Sequence, residues 1–416
     1  MSNAVLPSGW REGRLGYLVE THVPQRDKPD PLTGPIPWVR IEDFDGQEIR
    51  ASKSGQGVTP EQVAAMNLRV YTPGTVLCSC SCSMGATAIA REPLVSNQTF
   101  IGLTPGPEIE SRFLFYLMYV MREDLQAKAT GAIQQYLARD DFRSLRVPVP
   151  PLEEQRCIAD FLDAETARID QVALKRRQMR SLLAQKRERV IESTLGLERA
   201  QMTDGLVPLK CLVADVTVGI VITPAKWYVD VGGIPALRGL NVKPGFISTS
   251  DLVQISGEGH AENRKSRLNA GDVVVVRTGQ AGAAAVVPAE LDGANCIDLI
   301  VVRPGSKLSP RYLQYVLNSG YASARVAEHS VGSIQAHFNV GAMKQIPIPS
   351  IPRAEQDEIV RLLDIRVGAL DLLHRELDRQ EQLLAERRQA LITAAVTGQF
   401  DVSTASGRNV TDGVSA

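Results

Sequence analysis

Two stretches of the chain carry apolar residues at helical spacing over an unusual length. In the first, Ile158, Leu162, Ile169, Val172, Met179, Leu183 and Val190 follow one another in steps of three, four and seven. In the second, Ile359, Leu363, Leu370, Leu373, Leu377, Leu384 and Leu391 do the same. Such steps place one apolar stripe on a long helix and predict a coiled-coil-like seam. No proline or glycine interrupts 152–195, and Gly368 is the only glycine in the second stretch before Gly398. Pro151 and Pro352 stand ahead of carboxylates (Glu153, Glu154; Glu355, Asp357, Glu358), which suit a helix N-terminus. Gly196 and Gly398 are the natural stops. A helix of roughly 40 residues is about 60 Å long at about 1.5 Å per residue.

The remaining sequence has a shorter rhythm. "YTPGTVLCSCSCSMGATAIA" (71–90) and "LNAGDVVVVRTGQAGAAAVV" (268–287) each read as a turn, a strand of β-compatible residues and a tight glycine loop. "SRFLFYLMYVM" and "PRYLQYVLNSG" each read as a helix. The pattern therefore predicts an α+β chain laid out as domain, long helix, domain, long helix. Its segments are 1–150, 151–200, 201–350 and 351–400, with a tail over 401–416.

This layout is a duplication. "VPVPPLEEQRCIADFLDAETARID" (147–170) matches "IPSIPRAEQDEIVRLLDIRVGALD" (348–371) without a gap. Pro148, Pro151, Gln155, Ile158, Leu162, Asp163 and Asp170 pair with Pro349, Pro352, Gln356, Ile359, Leu363, Asp364 and Asp371, at a constant offset of 201. Lys186-Arg187 meets Arg387-Arg388 further on. The domains correspond more loosely: Arg40 falls opposite Arg238, Asn97 opposite Asn295, and "GAIQQYLARDDFRSLRVP" opposite "GSIQAHFNVGAMKQIPIP".

The duplication bears on the one stretch that suggests a metal, "CSCSCSMG". Opposite Cys78, Cys80 and Cys82 the second copy has Val275, Arg277 and Gly279, which form no ligand set. Alternate residues of a strand share a face at about 6.6 Å spacing, so three collinear thiols do not close a tetrahedral site. No Cys-x-x-Cys or His-x-x-x-His spacing elsewhere completes one. The cysteines are read as small strand residues and no metal is expected.

Composition and charge narrow the field further. The chain is 44% hydrophobic and 22% charged, which describes a globular protein. The start has no signal-peptide pattern, and the apolar run "FLFYLMYVM" is too short to span a bilayer, so a cytoplasmic protein is expected. Net charge is −1, and no segment is strongly basic: residues 1–150 carry 15 basic and 16 acidic groups, and 201–350 carry 13 and 11. Charge balance thus neither identifies nor excludes a nucleic-acid partner. Phosphate-binding glycine loops, nucleophile elbows and an Asn-Pro-Pro-aromatic tetrapeptide are absent, and the five histidines are scattered. This favours a recognition or scaffold protein over an enzyme.

With these residues in view, the chain resembles the specificity subunit of type I restriction–modification systems. The carriers are the proline, Glu-Gln and aspartate elements of 147–170 and 348–371. "LPSGWREGRLGYL", "GDVVVVRTGQAG" and "LITAAVTGQFDV" support them. The resemblance implies that each 150-residue segment is a target recognition domain reading half of a split DNA site. The helices would pack as an antiparallel coiled coil with pseudo-two-fold symmetry and act as a spacer. It implies no catalysis and no cofactor on this chain. Two modification subunits would bring S-adenosylmethionine, and restriction subunits would use ATP. The competing readings are a coiled-coil interaction scaffold with duplicated domains and no DNA role, and an enzyme with its own catalytic centre, which the missing nucleophile–base set and cofactor loop oppose.

Arg and Lys grip phosphates, and Arg, Asn and Gln read base edges. On that ground the DNA candidates in the first domain are Arg40, Lys53, Ser54, Gln56, Gln134 and Gln135. In the second they are Arg238, Asn241, Lys243, Arg264, Lys265, Arg267, Arg277, Thr278, Gln280 and Gln335. Helix packing or partner docking is assigned to Ile158, Leu162, Ile169, Val172, Leu183, Ile359, Leu363, Leu370, Leu377 and Leu384. The run "KRRQMR" (175–180) is read as a solvated or partner-facing helix surface.

Overall fold

In a computed structural model, the structure describes residues 6–24, 27–81, 84–129, 136–197, 205–330 and 338–402. The chain forms two compact units, Met1–Lys175 with Arg379–Ala416, and Arg176–Asp378. The expected segments ended where each long helix begins or ends; the units instead divide both long helices near their middles.

The first unit holds strands β1 (Arg11–Arg14), β2 (Val19–His22), β3 (Ile36–Val39), β4 (Glu48–Ile49), β5 (Gly57–Val58), β6 (Val76–Ser79), β7 (Thr87–Ala90), β8 (Val95–Ser96), β9 (Phe100–Pro105) and β10 (Arg146–Val149). Its helices are α1 (Leu15–Leu18), α2 (Pro60–Ala65), α3 (Ser111–Val120), α4 (Arg122–Lys128), α5 (Arg139–Arg143) and the first half of α6 (Leu152–Leu195). The strands order as β2-β9-β6-β7-β4, β5-β3-β8 and β1-β10.

The second unit repeats this plan. Its strands are β11 (Leu206–Pro208), β12 (Asp215–Val218), β13 (Tyr228–Val229), β14 (Ile234–Leu237), β15 (Val242–Lys243), β16 (Phe246–Ile247), β17 (Val253–Ile255), β18 (Val273–Val276), β19 (Ala284–Val286), β20 (Asn295–Cys296), β21 (Leu299–Arg303) and β22 (Pro347–Pro349). Its helices are α7 (Gly257–Glu262), α8 (Pro310–Leu317), α9 (Gly320–Ser330), α10 (Val340–Gln345) and the first half of α11 (Arg353–Val396), together with the end of α6. The sheet β12-β21-β18-β19 matches β2-β9-β6-β7, and β11-β22 matches β1-β10. The parallel pair β14-β20 matches β3-β8.

The two central strands show why the "CSCSC" segment starts in a strand, which ends at Ser79. β6 and β18 are buried along both faces, as a strand covered on two sides must be. Val76, Cys78 and Cys80 face the core that contains α3, while Leu77 faces the opposite cluster. In the second copy Val273 and Val275 face one core, and Val274 and Val276 the other. Both strands begin after a glycine in the left-handed region, Gly74 at φ +92 and Gly271 at φ +89. Both are followed by another, Gly85 at φ +79 and Gly282 at φ +94, whose N–H donates back to Ser79 and Val276 respectively. Only glycine takes that conformation without strain. Cys78 is a fully buried thiol whose pKa is pushed far up by burial, so it packs as a small apolar residue. Cys82 lies outside the described residues.

One expected correspondence is corrected. Val39 pairs with Ser96 and Leu237 with Cys296, so Asn295 stands opposite Val95, not Asn97. The connection from β19 to β20 is longer in the second copy and carries a short turn at Ala289–Leu291, which shifts the match. The longer connection makes a single fixed offset fail there.

Both long helices contain 44 residues. Gly196 (φ +66) and Gly398 (φ +75) stand just past their ends in the left-handed region. In the first unit the start of α6 packs on the end of α11: Ile158, Leu162 and Ile169 share one core with Leu391, Ile392, Ala395 and Val396. In the second unit the end of α6 packs on the start of α11, through Ile191, Leu195, Leu363 and Val367. The pairing is antiparallel in each. Leu370 and Leu377 are buried; Val172, Leu183, Ile359 and Leu384 are half-buried. Met179 and Leu373, expected in the seam, are exposed at 55% and 52%. A straight helix drifts about 20° per heptad, so a seam read at steps of seven slides off the contact line. Among the described residues no helix is long and apolar enough to cross a membrane.

Candidate nucleic-acid interface

The element that identified the duplication is a joint between each domain and its helix. Gln155 is fully buried. Its Nε2 donates to the carbonyls of Glu108 (2.9 Å) and Pro150 (2.8 Å), and its Oε1 accepts from the Glu110 N–H (2.8 Å). Gln356 repeats all three bonds: to Lys307 O (2.9 Å), to Ile351 O (2.9 Å) and from Ser309 N (2.7 Å). About two helical turns further, Asp163 accepts from Tyr116 Oη (2.7 Å) and from Arg112 (2.9 Å). Asp364 accepts from Tyr315 Oη (2.6 Å) and pairs with Arg311. Burial above all pushes the pKa of both tyrosines up, which keeps them protonated as donors. These side chains fix each domain on its helix.

The helices themselves carry a reciprocal pair. In the first unit Arg388 lies 3.3 Å from Asp170; in the second, Arg187 lies 2.8 Å from Asp371. The same two positions meet in each unit with their copies exchanged.

The DNA candidates divide into those offered to solvent and those consumed by the fold. Arg40 opens a short turn, Ile41–Asp43. Its N–H donates to Asp43 Oδ2 (2.6 Å), while Asp43 Oδ1 accepts from the Lys53 N–H (2.7 Å). That carboxylate gathers Arg40, Lys53 and Ser54 into one cluster, in which the Arg40 guanidinium pairs with Glu42 and reaches Ser54 Oγ at 3.4 Å. Lys53 and Ser54 are exposed; Gln56 is half-buried, and its carbonyl accepts from Trp38 N (2.9 Å).

Arg238 opens the equivalent turn, Gly239–Asn241, and donates through its guanidinium to the Asp251 carbonyl (2.9 Å). Asn241 is the counterpart of Asp43 and not of a reader. It is fully buried, caps the Arg238 N–H (2.9 Å) and donates to the Ser250 carbonyl (3.0 Å). Its amide is used up inside the domain. Arg277 is likewise engaged, with Asp298 at 2.7 Å and with the Phe338 carbonyl at 3.3 Å. Arg267 donates twice to the His260 carbonyl, at 3.1 and 3.0 Å, and so holds α7. Lys243 is half-buried in β15. Arg264, Lys265, Thr278 and Gln280 are exposed. Gln134, Gln135 and Gln335 lie outside the described residues.

Sequence reading missed Asp43 and Asp298, which organise the candidate loops, and gave the paired glutamines and aspartates no role. Their constant offset was the available signal. A buried polar side chain that recurs twice serves the backbone around it.

Two mixed domains, each jointed to one of two antiparallel helices, define a duplicated recognition scaffold. Residues 7–178 match the family model described as the type I restriction modification DNA specificity domain. The type I restriction enzyme MjaIX specificity subunit of Methanocaldococcus jannaschii is 32% identical over 132 residues, which cover 31% of this chain and 31% of that protein. The chain thus matches about a third of the length of that relative. The EcoBI specificity subunit of Escherichia coli is 20% identical over 398 residues, 88% of this chain and 80% of that protein. A solved chain described under complex assembly and conformational transition of the type I R-M system superposes with a TM-score of 0.72 at 20% identity, over 95% of this chain and 100% of that one; at this identity the likeness bears on the fold. By these comparisons the chain is similar to type I restriction–modification specificity subunits, in its first unit by family model and along most of its length by relative.

Proposed function

We propose that the chain is the DNA-recognition subunit of a type I restriction–modification complex. Each domain reads one half of a bipartite duplex site. The helices set the spacing between half-sites and dock two modification subunits, and restriction subunits join that assembly. The chain supplies no catalytic centre. S-adenosylmethionine and ATP belong to the partner subunits, and the complex works in the cytoplasm. The observation that carries this reading is the repeated joint. Gln155 with Asp163, and Gln356 with Asp364, seat two differently surfaced domains in the same way on paired helices. Two rigidly mounted readers of different surface suit a split, asymmetric site.

Of the candidates, Lys53, Ser54, Arg264, Lys265, Thr278 and Gln280 are exposed, and Arg40 and Arg238 stand at the matched turns. The lysines and Arg264 suit phosphates; Ser54, Thr278 and Gln280 suit base edges. No observation favours the scaffold without a DNA role. The test is a single-molecule methylome of the source organism with and without this gene. Loss of N6-methyladenine from one bipartite motif on deletion is expected. An unchanged methylome, combined with failure of the purified chain to bind a modification subunit, overturns the reading.

A further inference from the structure

The two units carry basic clefts at overlapping places in the fold. In the first, a cleft of about 590 Å³ is lined by Glu20–Val23 at the end of β2, Asn67–Val70 and Arg139. In the second, a cleft of about 330 Å³ is lined by Val218–Ile220, at the end of β12, and Ala261–Ser266. Sheet register makes the two overlap, with Glu20–Val23 opposite Asp215–Val218 and Val23 and Val218 at one shared position. Thr21 pairs with Leu103, which pairs with Val76; Val216 pairs with Val302, which pairs with Val273. The second wall also corresponds. It is the segment just before Tyr71, whose N–H donates to Leu94, and just before Leu268, whose N–H donates to Ala294.

The residues differ, yet the charge is the same. One cleft has Arg69 and Arg139 against Glu20; the other has Arg264 and Lys265 against Glu262. Each therefore offers two cations and one carboxylate. Arg69 is held in place: its NH2 donates to His22 Nε2 at 2.9 Å, with Glu20 3.8 Å away. An imidazole that accepts this bond is neutral, so it adds no charge of its own. Arg139, Arg264 and Lys265 have no carboxylate partner among the described residues. Two unrelated sets of side chains that converge on one charge at overlapping places point to a shared ligand of single negative charge.

We propose that each cleft seats one backbone phosphate of duplex DNA. The inference rests on the DNA-recognition function proposed above and deepens it. Phosphate contacts position a reader without carrying sequence information, so a seat common to both domains fits domains that read different half-sites. The clefts set where the duplex lies on each unit, and the variable turns read it.

The test is equilibrium binding by the full-length chain assembled with its modification subunits. The probes are a duplex carrying the motif found by methylome and a scrambled duplex of equal length, across a range of sodium chloride. Two double variants are used, Arg69→Gln with Arg139→Gln and Arg264→Gln with Lys265→Gln. Each is expected to weaken both duplexes by the same factor and to reduce the slope of log K against log salt by about 0.9, the value of one phosphate contact. Lysine in place of Arg69 and Arg139 should keep the slope, which separates charge from shape. An unchanged slope with normal preference for the motif overturns the seats and leaves the recognition function standing. A loss confined to the motif duplex also overturns them, because it marks base reading. If the unaltered complex shows no preference for the motif, the recognition function fails and the seats fail with it.

Discussion

The last residue before each tight loop teaches the most when the two units are set side by side. Cys80 and Arg277 sit at the same position, and their backbones do the same work. The Cys80 carbonyl accepts from Leu137 (2.9 Å), and the Arg277 carbonyl accepts from Phe338 (3.2 Å). Their side chains do different work. Cys80 is fully buried and its thiol contacts the Gln98 carbonyl at 3.8 Å. Arg277 carries an ion pair to Asp298, itself 42% exposed. The helix joints below show no such divergence, since Gln155 and Gln356 make the same three bonds. The backbone frame and the mounting are held alike in both copies, and the chemistry at the loop end is free to differ.

Exchanging the two residues is the strongest way to break that comparison. Cys80→Arg forces a guanidinium into a fully buried site without a carboxylate, which costs about 3–5 kcal/mol. The first unit should lose its cooperative unfolding transition. Arg277→Cys only frees a part-exposed Asp298 and one carbonyl, and should cost about 1 kcal/mol. Hydrogen exchange resolved by unit measures both. Equal losses from the two exchanges would show that the sites are not alternative solutions on one frame.

The joints give the next largest effect. Gln155→Ala leaves the Glu110 N–H and the Glu108 and Pro150 carbonyls without their partner, and Gln356→Ala leaves the same set in the second unit. Each should cost its own unit about 2–4 kcal/mol, as buried orphan groups do. Denaturant unfolding followed by exchange checks it. A large loss in one unit with none in the other would end the claim that the joints are equivalent.

Much of this frame was legible in the sequence, for reasons visible in particular residues. The helices announced themselves because 44 residues without an internal break leave few alternatives, and Gly196 and Gly398 mark their ends in a conformation that favours glycine. The strand reading of "CSCSC" held for Cys78, where the second copy offered Val275 at the matching place; Cys80, opposite Arg277, falls just past the end of β6. Side-chain direction was not legible. Asn241 and Arg277 have the composition of base readers, and only the fold shows that one is a turn cap and the other half of an ion pair. The basic clefts were hidden for a related reason. Arg69 and Arg139 are 70 residues apart in sequence and meet only because β2, the segment before β6, and α5 converge.

The smallest expected effect concerns the seat residue His22, which has no titratable counterpart, since register places Thr217 opposite it in the second unit. Burial first, and Arg69 second, lower the His22 pKa from the usual 6.5. The unfolded chain therefore takes up a proton near its ordinary value while the folded unit does not. Between the two pKa values the unfolded state binds more protons, so stability falls as pH drops below the unfolded pKa and levels off below the folded one. His22→Gln should flatten this decline in the first unit between pH 7 and 5. The second unit has its own contribution from His260, lowered by burial and then by Arg267, and it should keep its decline in the His22 variant. Exchange-detected stability at pH 7, 6 and 5 distinguishes the units. A His22 variant that leaves the first unit's profile unchanged would place its imidazole outside the electrostatics of that cleft, and would leave Arg69 to be held by Glu20 alone.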